Sequence, residues 1–118
     1  MGWVRFEGKG SPVSAEPVVS IQKRGMVSIN EAAVQMMGSP EEVELMFDPE
    51  RKLFALHPAP QSPHAYHLRK SKSGTQRMLS ATAFMKLYNI DMSYARRYTP
   101  FMEEGMLCID LSDELTGS

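Results

Sequence analysis

Two stretches of this chain follow one pattern, and that recurrence constrains the fold more than any other feature. Ile29-Asn30 corresponds to Leu79-Ser80, and Ala33, Val34 and Met37 correspond to Ala83, Phe84 and Leu87, each pair separated by 50 positions. What repeats is the order of residue types rather than the residues themselves. Each copy reads as an apolar strand, a capping residue and a short helix with one apolar face.

In the first copy, residues 17–21 are β-branched and short, the mark of a strand. Lys23-Arg24-Gly25 breaks it, and residues 26–29 begin a second strand. Asn30 is placed to cap a helix over residues 31–37, since its side-chain oxygen can accept from the free amides of a first turn. Gly38 sits where a left-handed C-terminal cap is wanted, and Pro40 prevents continuation. Val43, Leu45 and Phe47 then alternate with Glu44 and Met46, the period of a half-buried strand. Asp48-Pro49-Glu50-Arg51-Lys52 makes a polar turn, and residues 53–57 return as its partner.

Pro58, Pro60 and Pro63 form a stiff, extended connector. After it the order recurs. Residues 65–68 read as a strand, 69–76 as a polar loop, and 77–79 as a second strand. Ser80 is read as the second cap and residues 81–88 as a helix with Ala83, Phe84 and Leu87 inward. Residues 91–97 suggest an extra helical turn; Arg96 and Arg97 at its negative end is the favoured reading, and Arg96-Arg97-Tyr98 as a binding element, with Tyr98 stacking, is the alternative. Glu103-Glu104-Gly105 is a turn, and residues 106–111 form an apolar closing strand.

One such unit cannot bury both faces of its strands under a single short helix. Two units can, if their strands interleave and remove the exposed sheet edges. The expected fold is therefore α+β: a small barrel-like β-sheet of two pseudo-symmetric strand–strand–helix–hairpin units. The expected organisation is an arm over residues 1–16, carrying Trp3 and Phe6, and a single domain over 17–111. That domain holds units 17–58 and 64–111 around the connector 58–63, and a tail follows over 112–118. Two equivalent loops, around Lys23-Arg24-Gly25 and residues 69–76, are expected side by side.

Residues 18–58 resemble the swapped-hairpin AbrB family. The resemblance rests on Val-Val-Ser-Ile-Gln-Lys-Arg-Gly-Met-Val-Ser-Ile-Asn, a short helix ending in Met37-Gly38, and the hairpin Val-Glu-Leu-Met-Phe-Asp with Leu-Phe-Ala-Leu. Two units in one chain resemble MraZ more closely. Met26 follows the turn glycine where the family commonly carries arginine, and Asn30 stands where it commonly carries proline. The resemblance implies binding of double-stranded DNA by the paired loops and adjoining strands, in transcriptional regulation or as an antitoxin.

The charges agree with that expectation in their distribution, not in their sum. The chain has 13 basic and 14 acidic residues, a net charge of -1, which gives no overall attraction to nucleic acid. No acidic residue falls between Val18 and Asn30 or between His64 and Phe84. Lys23, Arg24, Arg69, Lys70, Lys72 and Arg77 fall in or beside those stretches and are the candidate phosphate contacts. Gln22 and Gln76 are candidates for base edges, with Ser71, Ser73 and Thr75 as further donors. Glu41, Glu42, Glu44, Asp48 and Glu50, and later Glu103 and Glu104, cluster at the hairpin positions. A domain basic at one pole and acidic at the other is expected.

Other chemistries find little support. His57, His64 and His67 flank the connector without metal-ligand spacing, so neither metal nor cofactor is expected. No nucleophile elbow or phosphate-cradling glycine loop occurs, and no catalytic residues are expected. The lone Cys108 is read as a small buried apolar residue and fits a reducing, cytoplasmic setting. No apolar run is long enough to span a membrane. A protein-interaction module is the alternative, acting through the arm or the acidic pole. A homodimer also stays open.

Overall fold

The structure is a computed structural model and describes residues 16–115 apart from Ser73 and Thr75. Trp3, Phe6 and nearly all of the expected arm lie outside the described residues.

The first half forms β1 (Val19–Ile21), β2 (Met26–Asn30), α1 (Glu31–Met36), β3 (Glu42–Asp48) and β4 (Leu53–Pro58). The second forms β5 (Tyr66–His67), β6 (Arg69–Lys70), β7 (Gln76–Ser80), α2 (Thr82–Leu87), β8 (Arg96–Tyr98), β9 (Phe101–Glu103) and β10 (Met106–Asp110). These strands make two antiparallel five-stranded sheets, ordered β6-β7-β2-β1-β8 and β5-β3-β4-β10-β9. The central pairs join the halves. β2 lies beside β7 with Val27 opposite Leu79, and β4 beside β10 with Ala55 opposite Cys108.

Closure into one hydrogen-bonded barrel is not seen. The chain instead changes sheets three times, through α1 between β2 and β3, at Leu68 between β5 and β6, and at Thr99-Pro100 between β8 and β9. Both sheets contribute to one core. Val19, Ile21, Val27, Ile29 and Leu79 come from the first sheet, and Val43, Phe54, Leu56, Leu107 and Ile109 from the second. Each fully buried aliphatic side chain of this kind contributes roughly 1.5–3 kcal/mol.

Asn30 starts α1 as its composition suggests. Its Oδ1 accepts from Ala33 N–H at 3.0 Å and also from Val18 N–H at 3.0 Å. Gly38 ends the helix segment at φ +84°. The second helix departs from expectation. Its N-cap is Ala81, not Ser80, and no side chain caps it. Ala81 N–H instead donates to the Gly25 carbonyl at 2.9 Å. The buried face is Ala81 and Met85, while Ala83 is exposed and Leu87 is 73% exposed. Met102 is 40% exposed. Residues 91–95 are not helical, and Arg96–Tyr98 is a strand because it pairs with β1, with Ser20 opposite Arg97. Among the described residues, no helix is long and apolar enough to cross a membrane.

Candidate functional site

The basic residues expected at the site fall along the first sheet and its turns. Lys23 and Arg24 occupy a 3-10 turn between β1 and β2, both exposed. Arg69 and Lys70 form β6, Lys72 lies in the turn after it, and Gln76 and Arg77 open β7. Arg69, Lys70, Lys72 and Gln76 are exposed, whereas Arg77 and Gln22 are half-buried.

The two loops are not side by side. β2 and β7 run antiparallel, with Met26 opposite Ser80 and Asn30 opposite Gln76. The Lys23–Gly25 turn therefore lies at one end of this pair and the loop after Lys70 at the other. With Met26 and Asn30 four residues apart, the strand between the ends spans roughly 14 Å at about 3.4 Å per residue. Arg77 pairs with Ile29, whose side chain is in the core, so it leaves from the inner side of the sheet.

What joins these ends is the outward face of the sheet. Side chains directly opposite one another in a ladder share a face. Arg69 lies opposite Met78, Met78 opposite Ser28, Ser28 opposite Ser20, and Ser20 opposite Arg97. This is one row across all five strands, with an exposed arginine at each end. At about 4.8 Å per strand its ends lie roughly 19 Å apart. Between the arginines the row holds Met78, Ser20 and the buried Ser28, whose Oγ donates to Gln76 Oε1 at 2.7 Å; the Gln76 amide nitrogen has no partner among the described residues.

Charge separates by sheet. Strands of the first sheet carry Arg69, Lys70, Arg77, Arg96 and Arg97 and no carboxylate. Strands of the second carry Glu42, Glu44, Asp48, Glu103 and Asp110 and neither lysine nor arginine. Two exceptions temper this. Arg51, in the β3–β4 turn, pairs with Asp48 at 2.8 Å and Glu103 at 2.7 Å, which holds both carboxyls below their ordinary range. Glu114 borders a cleft of about 460 Å³ beside Arg97, where its Oε1 accepts from Tyr94 Oη at 2.6 Å.

The sequence reading sets Arg97 at a helix end rather than among the candidate contacts. The signal was the Tyr98-Thr99 pair, whose residue types favour strands. Its neighbour Arg96 has another role. It is 8% exposed, and its Nε donates to Tyr98 Oη at 2.9 Å. Its guanidinium also stands 4.8 Å from the Tyr94 ring centroid.

The Lys23–Gly25 turn is held rigidly. Arg24 adopts φ +69°, its N–H donates to the Met92 carbonyl, and its carbonyl accepts from Thr82 Oγ1 at 2.6 Å. Gly25 has φ +83°, and a Cβ there would meet Thr82 Cα at 2.8 Å. Among the described residues, no His, Cys, Asp and Glu cluster could hold a metal. Ser73 and Thr75 lie outside the described residues. No protein-family model, curated protein or solved structure matches this chain.

Proposed function

We propose that this chain is a non-catalytic, double-stranded-DNA-binding protein of the AbrB/MraZ type, acting in the cytoplasm as a transcriptional regulator or antitoxin. The observation that carries the reading is the outward row of the first sheet, arginine-ended and serine-floored, on strands that hold no carboxylate. A major groove is about 12 Å wide and admits a two-stranded β-ribbon. Arginines roughly 19 Å apart fit the two phosphate walls, with Gln76 and Ser20 toward the groove. Lys23, Arg24 and Lys72 extend the cationic surface at either end, whereas Lys70, directly opposite Arg77, leaves from the other side of the sheet. Their summed charge attracts a phosphate backbone although the whole chain is near neutral.

On this reading the two sheets are halves of a swapped-hairpin barrel, opened where the chain changes sheets. The interleaved central pairs, β2 with β7 and β4 with β10, support it. The test is fluorescence anisotropy of a labelled random duplex titrated with wild type and with the Arg69→Ala/Arg97→Ala variant. Weaker binding by the variant supports the face, and equal binding removes it.

A further inference from the structure

Beyond Val43, β3 has no strand on its outer side among the described residues. β5 pairs only with Glu42 and Val43. The backbone pattern shows what this leaves open. Ala59 N–H donates to the Glu42 carbonyl on the β4 side, and Leu68 N–H donates to the Glu41 carbonyl on the other. Successive residues of an antiparallel strand direct their polar groups to opposite sides. The amides and carbonyls of Leu45 and Phe47 therefore point away from β4.

A cleft of about 590 Å³ opens at this edge, where the connector turns away from β3. Leu45, Met46, Ala65 and Tyr66 line it, with Phe84 of α2. Phe84 belongs to an aromatic cluster: its ring lies 5.3 Å from Phe54 and 4.9 Å from Tyr88, which in turn lies 4.9 Å from Phe47. Tyr88 is 42% exposed and Leu87 beside it 73%, so the apolar surface continues past the cleft.

Glu44 is the carboxylate on the rim, His64 borders the cleft too, and no lysine or arginine does. The Glu44 carboxylate accepts from the Ser62 hydroxyl, and the Glu42 carboxylate accepts from Gln61 N–H at 2.7 Å. Both donors are neutral, and neither carboxylate is ion-paired to a lysine or arginine among the described residues.

We propose that this cleft receives an extended lysine- or arginine-bearing peptide of a partner protein, which adds a strand to β3 at Leu45 and Phe47 and sets an apolar side chain against Phe84. Main-chain hydrogen bonds supply affinity in such strand addition, and the alternate side-chain pockets supply specificity. Self-pairing of two β3 edges would bring Glu44 of one copy against Asp48 of the other; Arg51, shared between Asp48 and Glu103, does not balance all three carboxylates, and like charges directly opposite are destabilising. Charge therefore selects a basic partner over a second copy. The inference does not rest on DNA binding.

The test titrates the isotope-labelled full chain with a short capped peptide alternating lysine and valine. Controls are a glutamate–valine counterpart and a version N-methylated at alternate amides. The expected result is saturable shifts at the Leu45 and Phe47 amides, with their hydrogen exchange slowed at least ~10-fold. Both control peptides bind at least ~10-fold more weakly. Glu44→Lys reverses the order of the charged peptides, and Glu44→Gln substitutes if that variant fails to fold. Equal binding of the N-methylated peptide overturns the proposal, as do shifts confined to other residues or absence of binding at millimolar peptide. Leu45 and Phe47 amides already protected in the free chain also overturn it, because the edge is then occupied from within.

Discussion

Arg69 and Arg97 end the same row of five residues across the first sheet, on its outward face, although 28 positions separate them in the chain. Neither is buried, and neither holds the core together. Their joint replacement by alanine is expected to leave folding almost intact, within about 0.5 kcal/mol each. It should weaken duplex binding roughly 10-fold at moderate salt and make the log–log salt slope shallower by about 2. Anisotropy beside a urea melt measures both.

Arg96 is expected to behave in the opposite way to its neighbour. It is buried, donates to Tyr98 Oη and to the Tyr94 carbonyl, and stacks on Tyr94. Arg96→Ala leaves the buried Tyr98 hydroxyl without that partner and opens space, at a cost of about 2–3 kcal/mol. Urea denaturation of Arg96→Ala and Arg97→Ala separates the two roles.

Gly25 couples the first turn to α2. Its φ of +83° disfavours any side chain, and an added Cβ lies 2.8 Å from Thr82 Cα and 2.9 Å from Met92 Sδ. The methionine can move, but the helix backbone cannot without displacing α2. Gly25→Ala is expected to cost about 2–3 kcal/mol, a fall of roughly 10 °C in Tm. Gly74, with no neighbour within 4 Å of its Cβ position among the described residues, should lose only the conformational part, about 1 kcal/mol.

Asn30 ties three segments together. Its Oδ1 accepts from Val18 and Ala33 N–H, and its Nδ2 donates to the Glu16 carbonyl at 2.8 Å. Asn30→Ala removes all three bonds and should cost about 2 kcal/mol. Asn30→Asp keeps the acceptor but faces the Glu16 carbonyl without a donor, so an intermediate loss is expected. Thermal melts of both variants check the order.

Tyr98 makes stability depend on alkaline pH. Burial raises its phenol above the ordinary tyrosine value, and the Arg96 hydrogen bond opposes that shift only in part. A raised folded-state pKa means the native chain holds its proton where the unfolded chain releases it. The contribution is therefore complete below about pH 10 and is lost as pH rises through the folded value. Urea midpoints should fall above that pH in wild type, and fall less steeply in Tyr98→Phe.

Much of the fold was legible wherever local chemistry decides it. The alternation of Val43, Leu45 and Phe47 placed β3, and Asn30 with Gly38 placed α1. The rest depends on partners distant in the chain. α2 begins on a bond from Ala81 to the Gly25 carbonyl rather than on the Ser80 side chain. That start turns Met85 inward and leaves Leu87 outside, against the spacing carried over from α1. Arg96–Tyr98 is a strand because β1 lies beside it, a pairing that the strand-favouring types of Tyr98 and Thr99 do not fix by themselves. The candidate basic residues were readable from the absence of acids around them. That Arg69 shares a face with Arg97 while Arg77 and Lys70 turn to the other side follows from the antiparallel register of the sheet.

The central claim is that the outward face of the first sheet holds a phosphate backbone. The most direct measurement is wild-type affinity for a random duplex across a series of salt concentrations. Contacts to about 4–6 phosphates predict micromolar binding at low salt that weakens with a log–log slope of roughly −3.5 to −5.5. Absence of binding at low salt, or affinity independent of salt, would contradict it.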